Sequence, residues 1–343
     1  MAGLYIHIPF CASRCIYCGF YSTTSLKLRQ RYVDAVCREM ILRGEKFLPP
    51  KGRSVARNEV RGEIIDTIYF GGGTPSQLTI PQLEQLFLYI KKVYSLTTHL
   101  SPLTPEITIE MNPDDVTPAW ADVLPRLGVN RVSMGAQTFN DERLRFLHRR
   151  HTARQVPEAV KILRNAGIRN ISIDLMYGFP GETLDDWQRD IDSALALNVE
   201  HISAYCLMVE EGTLLWRLKM KDEKLKMPDE ELERLMYEVL IDKLTAAGYE
   251  HYEISNFAKP GYRSRHNSSY WQDVPYIGLG AAAHSYDLKY RSYNVADIQQ
   301  YIEAIERGEL PSEQEVIDED THYNDRITEA KIGRAVQQEC RDR

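Results

Sequence analysis

The sequence lacks the features that define several common protein classes. It has no apolar run of about 18 residues, no excess of basic residues, and only 6 cysteines among 343 residues. The net charge of −7 argues against non-specific nucleic-acid binding, because that needs a basic surface. Six cysteines are too few for a disulfide scaffold at this length. The first residues have neither the charged nor the long apolar segment of a signal peptide. We therefore expect a cytoplasmic protein without a transmembrane segment, peripheral to a membrane at most.

The first two-thirds of the chain alternate short apolar runs with helical patterns. This alternation predicts βαβ units and a parallel sheet, and six units in about 210 residues suit a partial barrel. The predicted strands are Leu4–Ile8, Ile64–Phe70, Glu106–Glu110, Arg131–Met134, Ile171–Leu175 and His201–Leu207. The predicted helices between them are Leu28–Gly44, Ile80–Tyr94, Pro113–Leu127, Thr152–Ala166 and Leu184–Leu197, with a loop at Gly71–Ser76 and a hydrophilic insert at Pro49–Glu63.

The pattern changes after position 209, so we predict three regions: 1–209, 210–310 and 311–343. The second begins with a charged stretch, Lys219–Leu244, which predicts one long helix. It continues as loops and short strands over Tyr249–Asn294 and a further helix at Gln299–Glu309. The third region is a polar, acidic tail whose composition is poorly suited to forming a core.

Three cysteines crowd into one loop after the first predicted strand. Cys11, Cys15 and Cys18 have the spacing C-x3-C-x2-C. Structural zinc sites usually take four ligands, and no second pair of cysteines is present to complete one. Three thiolates can hold three irons of a [4Fe–4S] cluster and leave the fourth iron open to a ligand. A structural zinc or cluster site without further chemistry, and three incidental core cysteines, are the alternatives.

Polar side chains recur where the predicted strands end. Gly71-Gly72-Gly73-Thr74-Pro75 follows the second strand and would let the backbone approach a ligand closely. Glu110, Gln137 and Asp174 lie at or near the ends of the next three strands. Active sites of such barrels sit at the carboxyl ends of the strands, so we expect these groups to share one cavity. Each alone could be a satisfied polar residue of the core.

The cysteine spacing, with Tyr17 before the last cysteine, resembles the radical SAM superfamily. The resemblance implies that the open iron binds S-adenosylmethionine (SAM), and the glycine run is similar to the GGE-type motif for its amino group, with Thr74 in place of the acid. It implies an α/β fold, a partial (β/α)6 TIM-like barrel of the radical SAM type with a smaller mixed C-terminal region.

A narrower resemblance extends from Leu4 to about Asp325. The segments Tyr5–Phe20, Gly71–Ser76, Ser133–Gln137 and Asp174–Gly181 are similar to the oxygen-independent coproporphyrinogen oxidase group. The oxidases carry a fourth cysteine where this chain has Phe20, and they have a long N-terminal extension, so the HemW-type haem chaperones fit better. Their HNxxYW signature is similar to His266–Trp271.

The resemblance implies two sets of binding residues. The SAM set is Tyr5, Tyr17, Gly72, Gly73, Thr74, Glu110, Gln137, Arg149, Asp174 and Cys206. The haem set is His266, Asn267, Tyr270 and Trp271, in keeping with imidazole as a common haem-iron ligand and aromatic rings as flat apolar walls. Arg149 could equally be a solvated arginine, and His7 and His284 are weaker sites, with His7 expected to support the cysteine loop.

The leading hypothesis is a haem chaperone that passes haem to a haem-requiring acceptor, expected to be a membrane-bound respiratory protein. Homodimerisation is a further expectation from the family. The alternative function is coproporphyrinogen III oxidation. The residues from Thr328 onward do not match the family, and we expect the C-terminal region to be truncated or frameshifted.

Overall fold

A computed structural model describes residues 2–46, 65–94, 96, 104–222 and 225–318. Six parallel strands follow one another in chain order and in space: β1 (Ala2–Ile8), β2 (Ile65–Gly72), β3 (Glu106–Met111), β4 (Arg131–Gln137), β5 (Asn170–Tyr177) and β6 (His201–Cys206). The helices beside them are α1 (Arg29–Lys46), α2 (Ile80–Val93), α3 (Pro118–Leu127), α4 (Asp141–Phe146), α5 (Gln155–Asn165) and α6 (Leu184–Ala196). The expected α/β architecture with a parallel sheet is confirmed.

The helix starts follow from local capping chemistry. Thr79 and Thr183 each form a capping box with the residue three positions on, and Thr117 accepts a hydrogen bond from the backbone N–H of Trp120. Such side chains satisfy backbone donors that the first helical turn leaves without partners. Gly128 ends α3 in the left-handed conformation, where a side chain would be strained.

The strands that follow β6 along the chain extend the same sheet at both sides. The elements after β6 are α7 (Leu214–Lys221), α8 (Glu230–Ala246), β7 (Glu250–Glu253), β8 (Asn256–Ala258), α9 (Arg265–Tyr270), β9 (Tyr276–Leu279), β10 (His284–Tyr286), β11 (Tyr290–Asn294), α10 (Ile298–Arg307) and β12 (Ser312–Val316). The described strands form one 12-stranded sheet in the order β12-β11-β10-β9-β1-β2-β3-β4-β5-β6-β8-β7. The chain after position 209 therefore pairs with β1 on one side and with β6 on the other, and the three-region division stays a prediction.

The two faces of the six parallel strands differ in polarity. One face carries aliphatic side chains such as Ile68, Ile109 and Ile173, which are fully buried in the main hydrophobic core. The other face carries polar side chains that lie beside each other on neighbouring strands. Asp174 of β5, for example, is paired with Ser203 of β6. Alternation along each strand makes this separation possible, since successive side chains point to opposite faces.

Several sequence predictions of local structure were wrong. The expected helix Lys219–Leu244 is two helices, α7 and α8, because Pro228 cannot continue a helix and Asp229 caps the start of α8. Gly71 and Gly72 belong to strand β2 rather than to a loop, since they pair with His7 and Ile8.

Other elements were not predicted at all. The short helices α4 and α9 were missed, and the polar region from 311 onward begins with the edge strand β12, which pairs with β11. The insert Pro49–Glu63 and residues 319–343 lie outside the described residues. Within the described residues, no helix is both long and apolar enough to cross a membrane.

Candidate functional site: a cavity at the strand ends

A cavity of about 630 Å³ opens at the carboxyl ends of the parallel strands. All three clustered cysteines line it, and so does every predicted SAM residue except Tyr5: Tyr17, Gly72, Gly73, Thr74, Glu110, Gln137, Arg149, Asp174 and Cys206. Asn267 of the predicted haem set also lines it. The strand ends therefore bring together residues that lie far apart in sequence, as expected for a barrel of this class.

The cysteine loop is held against the end of β2. The backbone N–H groups of Gly73 and Thr74 donate hydrogen bonds to the carbonyls of Ile8 (2.9 Å) and Phe10 (2.8 Å). A Cβ on Gly73 would lie 2.7 Å from the Ile8 carbonyl oxygen, so only glycine permits this approach. The glycine run thus positions the cysteine loop, and these two N–H groups are already satisfied.

Two side chains donate hydrogen bonds to the cysteine sulfurs. The Thr74 hydroxyl lies 3.5 Å from Cys11 Sγ, and Arg149 Nη1 lies 3.6 Å from Cys15 Sγ. Burial raises the pKa of Cys11 and of Cys18, so both are neutral thiols near pH 7 in the metal-free chain. Donors of this kind stabilise a thiolate, which forms when the sulfur releases its proton to solvent on binding a metal.

This donor set fits an iron–sulfur cluster. Among the described residues, no group of three His, Cys, Asp or Glu side chains converges on a single metal ion. A cubane cluster calls for a wider arrangement, because each thiolate binds a different iron. Cys11, Cys15 and Cys18 would hold three irons, and the cavity beside them would receive the ligand of the fourth.

Arg149 is turned into the cavity and is not a solvated arginine. Besides Cys15, its guanidinium donates to Asn112 Oδ1 (2.7 Å) and to the carbonyl of Gly135 (2.7 Å). Arg150, its neighbour, forms ion pairs with Asp114 and Asp115 instead. The sequence did not distinguish these two arginines. In the structure, Arg149 contacts the cysteine loop and Arg150 pairs with two aspartates.

Two carboxyl groups line the opposite wall of the cavity. Burial, followed by the influence of Asp174, raises the pKa of Glu110 to about 7, although the Tyr69 hydroxyl donates a 2.7 Å hydrogen bond to it. Burial also raises the pKa of Asp174, against the opposing effects of Arg131 and of hydrogen bonds from Ser133 and Ser203. Carboxylates facing a cavity can bind the ammonium or ribose hydroxyl groups of a ligand.

Cys206 and Tyr17 complete the predicted set. Burial raises the pKa of Cys206 to about 12, so it is an unreactive thiol at the end of β6. Tyr17 lies close to both Cys15 and Arg149, and burial raises its pKa above the usual value.

Tyr5 lies behind the cavity wall, where its hydroxyl is 3.1 Å from His7 Nδ1 and its ring stacks on Tyr69. As expected, His7 supports the cysteine loop, with Nε2 at 3.1 Å from the Tyr21 carbonyl oxygen.

Sequence reasoning missed several cavity residues. Tyr69, Ser203 and Tyr205 line the cavity, and so do the exposed side chains of Phe20 and Met208 near its mouth. The alternation of the strands could have found the first three, because Tyr69 lies on the polar face of β2 and Ser203 and Tyr205 lie on that of β6. No sequence signal marks Met208, which follows the end of β6.

The HNxxYW segment forms helix α9 and the turn after it. His266 is only 2% exposed, and both ring nitrogens have partners: Nδ1 lies 2.8 Å from Thr67 Oγ1 and Nε2 lies 3.0 Å from the Tyr270 hydroxyl. Burial lowers the pKa of His266 to about 3, so its imidazole is neutral. Tyr270 and Trp271 are 40% and 45% exposed. His284 is exposed on β10, beside Tyr293.

Comparison with known proteins places the chain in a family. Residues 5–194 match the model of the radical SAM superfamily. The heme chaperone HemW of Bacillus subtilis is 39% identical over 313 residues, which cover 91% of this chain and 78% of that protein. The chain belongs to the radical SAM superfamily and, within it, to the HemW family. HemW of Escherichia coli is 36% identical over 82% of this chain and 69% of its own length.

A solved structure shows the same fold. Coproporphyrinogen III oxidase (HemN) from Escherichia coli, a radical SAM enzyme, superimposes with a TM-score of 0.75 over 91% of this chain and 71% of that chain, at 23% sequence identity. Radical SAM membership implies a [4Fe–4S] cluster and SAM, and the strand-end cavity has the thiols and polar groups to hold them.

Proposed function

We propose that this chain is a haem chaperone: it binds haem and delivers it to a haem-requiring protein, with a [4Fe–4S] cluster and SAM in the strand-end cavity. The single observation that carries the proposal is the identity with proteins named heme chaperone HemW over nine-tenths of the chain. SAM would be held by the polar groups described above, and a reducing electron at the cluster would supply radical chemistry.

The haem contact is proposed at α9 and the residue that follows it. The exposed rings of Tyr270 and Trp271 offer an apolar surface to a flat macrocycle. In the present conformation His266 holds the Tyr270 hydroxyl rather than offering a free nitrogen. We therefore propose Tyr270 and Trp271 as direct contacts, and iron ligation by His266 on release of Nε2 from Tyr270. Asn267, which lines the cavity, would lie between the two sites.

Phe20 distinguishes the chaperone from the coproporphyrinogen oxidase alternative. It is 71% exposed near the cavity mouth, at the position where the resemblance places a fourth cysteine in the oxidases. The likeness to HemN, at 23% sequence identity, concerns the fold alone. Formation of protoporphyrinogen from coproporphyrinogen III would therefore contradict the chaperone proposal.

The acceptor and the assembly state are also parts of the proposal. We propose a membrane-bound respiratory acceptor and a homodimer, on the basis of the family resemblance. Sedimentation of the reconstituted protein with and without SAM would measure the assembly state, and a constant monomer mass would remove the dimer from the proposal.

Paired haem and SAM titrations of the anaerobically reconstituted protein test the function. We expect both to bind, and we expect Trp271→Ala to weaken haem binding without affecting SAM. His266→Ala should shift the Soret band if the imidazole ligates iron, whereas the exposed control Tyr262→Phe should change neither titration. An absence of haem binding, or formation of protoporphyrinogen from coproporphyrinogen III, would overturn the chaperone proposal.

A further inference from the structure

A continuous series of aromatic rings connects the strand-end cavity to the surface. Tyr69 lines the cavity, and its ring stacks on His266 at 5.1 Å between centroids. His266 meets Tyr270 at 5.2 Å, Tyr270 meets Tyr276 at 4.9 Å, and Tyr276 meets Tyr286 at 6.4 Å. We call Tyr69, His266, Tyr270, Tyr276 and Tyr286 the aromatic chain. It passes through the signature segment α9.

The far end of the aromatic chain is open to solvent. Tyr270 is partly exposed, and Tyr276 and Tyr286 line a second, smaller cavity of about 170 Å³ at the other side of β9. The aromatic chain therefore begins in one cavity and ends in another. Simple core packing would not require hydroxyl groups along such a path.

The two tyrosines of the aromatic chain nearest the strand-end cavity, Tyr69 and Tyr270, each lie beside a possible proton acceptor. The Tyr69 hydroxyl donates to Glu110 at 2.7 Å, and the Tyr270 hydroxyl lies 3.0 Å from His266 Nε2. In the tautomer whose Nδ1–H donates to Thr67 Oγ1, Nε2 accepts from the Tyr270 hydroxyl, and the proposal below uses this tautomer. Burial lowers the pKa of His266 to about 3, so the imidazole is neutral near pH 7 and is a weak base; an oxidised tyrosine is acidic enough to give it a proton. Oxidising a tyrosine releases its phenolic proton, so such acceptors make one-electron oxidation easier.

We propose that the aromatic chain transfers single electrons between the strand-end cavity and the surface. The oxidant is a carbon-centred radical in the cavity, and the reductant is a thiolate in solvent. This function does not require haem and relies only on the radical chemistry of the superfamily to which the chain belongs; it uses the conformation in which His266 Nε2 contacts Tyr270.

The transfer balances in electrons and protons. The oxidant takes one electron from Tyr69, whose phenolic proton moves to Glu110 in its ionised form, and a carbon radical so reduced takes one proton from solvent. Tyr270 then gives an electron to Tyr69 across His266, Tyr69 recovers its proton from Glu110, and the Tyr270 proton moves to His266 Nε2. The solvent thiolate returns one electron to Tyr270 by way of Tyr286 and Tyr276 and becomes a thiyl radical, and His266 returns the proton. The protein is unchanged at the end.

Pulse radiolysis of the full-length metal-free protein tests the proposal without any cofactor. A path that conducts outward also conducts inward, so 3-aminotyrosine at position 69 should trap oxidising equivalents created on exposed rings by azide radicals. We expect the aminotyrosyl absorbance to grow in a first-order phase whose rate is independent of protein concentration. Tyr270→Phe should abolish that phase, and Tyr262→Phe, an exposed tyrosine outside the aromatic chain, should preserve it.

A second variant guards against a folding defect. Tyr276→Phe removes only a hydroxyl group farther along the aromatic chain, and circular dichroism checks that each variant is folded. Persistence of the first-order phase in folded Tyr270→Phe and Tyr276→Phe, or trapping that depends only on azide-radical concentration, would overturn the proposal. The haem titrations decide the chaperone function separately, so either can fail while the other stands.

Discussion

The SAM residues of the strand-end cavity and the haem residues of the HNxxYW segment were both predicted from family motifs, and the two sets differ in their exposure in the structure. The cavity residues face a large open space, and several retain polar groups directed into it. In α9, by contrast, the principal predicted ligand, His266, is buried and both its nitrogens have partners. At the strand ends main-chain pairing stops and side chains face the cavity, whereas His266 lies on the side of α9 that packs against β2, where it contacts Thr67. A motif therefore identifies residue types, and the element that carries them decides their exposure.

The largest effect is expected in the cavity. Cys15→Ala should abolish the iron–sulfur absorbance after anaerobic reconstitution, because two thiolates cannot hold the cluster that three hold. Iron content and visible absorbance measure this. Cys37→Ala is the matched control, since Cys37 is buried in α1 outside the cavity. A full [4Fe–4S] spectrum in Cys15→Ala would remove Cys15 from the ligand set.

The next prediction separates backbone strain from ligand approach. Gly72 has φ +103°, and a Cβ there would lie 2.4 Å from the His7 ring, so Gly72→Ala should lower the free energy of unfolding by roughly 2–4 kcal/mol. Gly167→Ala, at φ +94° with open space around it, should cost only about 1–2 kcal/mol. Chemical denaturation of both variants measures the difference. Equal losses of stability in the two variants would mean that the His7 ring moves aside for the new methyl group. The glycine at position 72 would then be needed for the close approach of a ligand.

A third prediction concerns the buried imidazole of α9. Removing His266 leaves Thr67 and Tyr270 without their partner, so His266→Ala should lower the free energy of unfolding by roughly 1–3 kcal/mol near pH 7. The folded pKa of about 3 lies below the unfolded value, so the unfolded chain binds more protons between about pH 3 and 6.5. The wild-type contribution is therefore present above about pH 6.5 and is lost as the pH falls. Urea titrations across this range should show a smaller dependence on pH in the variant, and an unchanged slope would contradict the burial of a neutral imidazole.

The last prediction concerns the pH dependence of stability at Glu110. Its folded pKa of about 7 lies above the unfolded value, so the folded chain binds more protons between about pH 4.5 and 7. Stability from the protonated form is present below about pH 4.5 and falls as the pH rises through 7. Glu110→Gln should remove this pH-dependent loss in the free energy of unfolding. The loss amounts to a few kcal/mol at most, because one pKa unit corresponds to about 1.4 kcal/mol. The control is Glu142→Gln at the surface of α4, and identical slopes in both variants would argue for an ionised Glu110 in the folded chain.

Much of the site was predictable because it depends on local rules. Alternating strands and helices predict a parallel sheet, and polar residues at successive strand ends then have to meet, which is why Glu110, Gln137 and Asp174 share a cavity. The element boundaries were less predictable where pairing partners decide them. Gly71 and Gly72 are strand residues only because β1 lies beside them. Pro228 was visible in the sequence, and its power to divide the helix was underestimated.

The sequence alone determined the cysteine loop, the parallel pairing of the first six strands and the family, because these depend on residue spacing and alternation along the chain. Only the tertiary structure decided that the glycine run supports the cysteine loop, that Tyr5 lies behind the cavity wall, and that His266 joins Tyr69 to Tyr270. The reason is physical: burial and hydrogen-bond partners are set by segments far away in sequence. Thr67 and His266 are 199 residues apart, and their contact exists only once α9 has packed against β2.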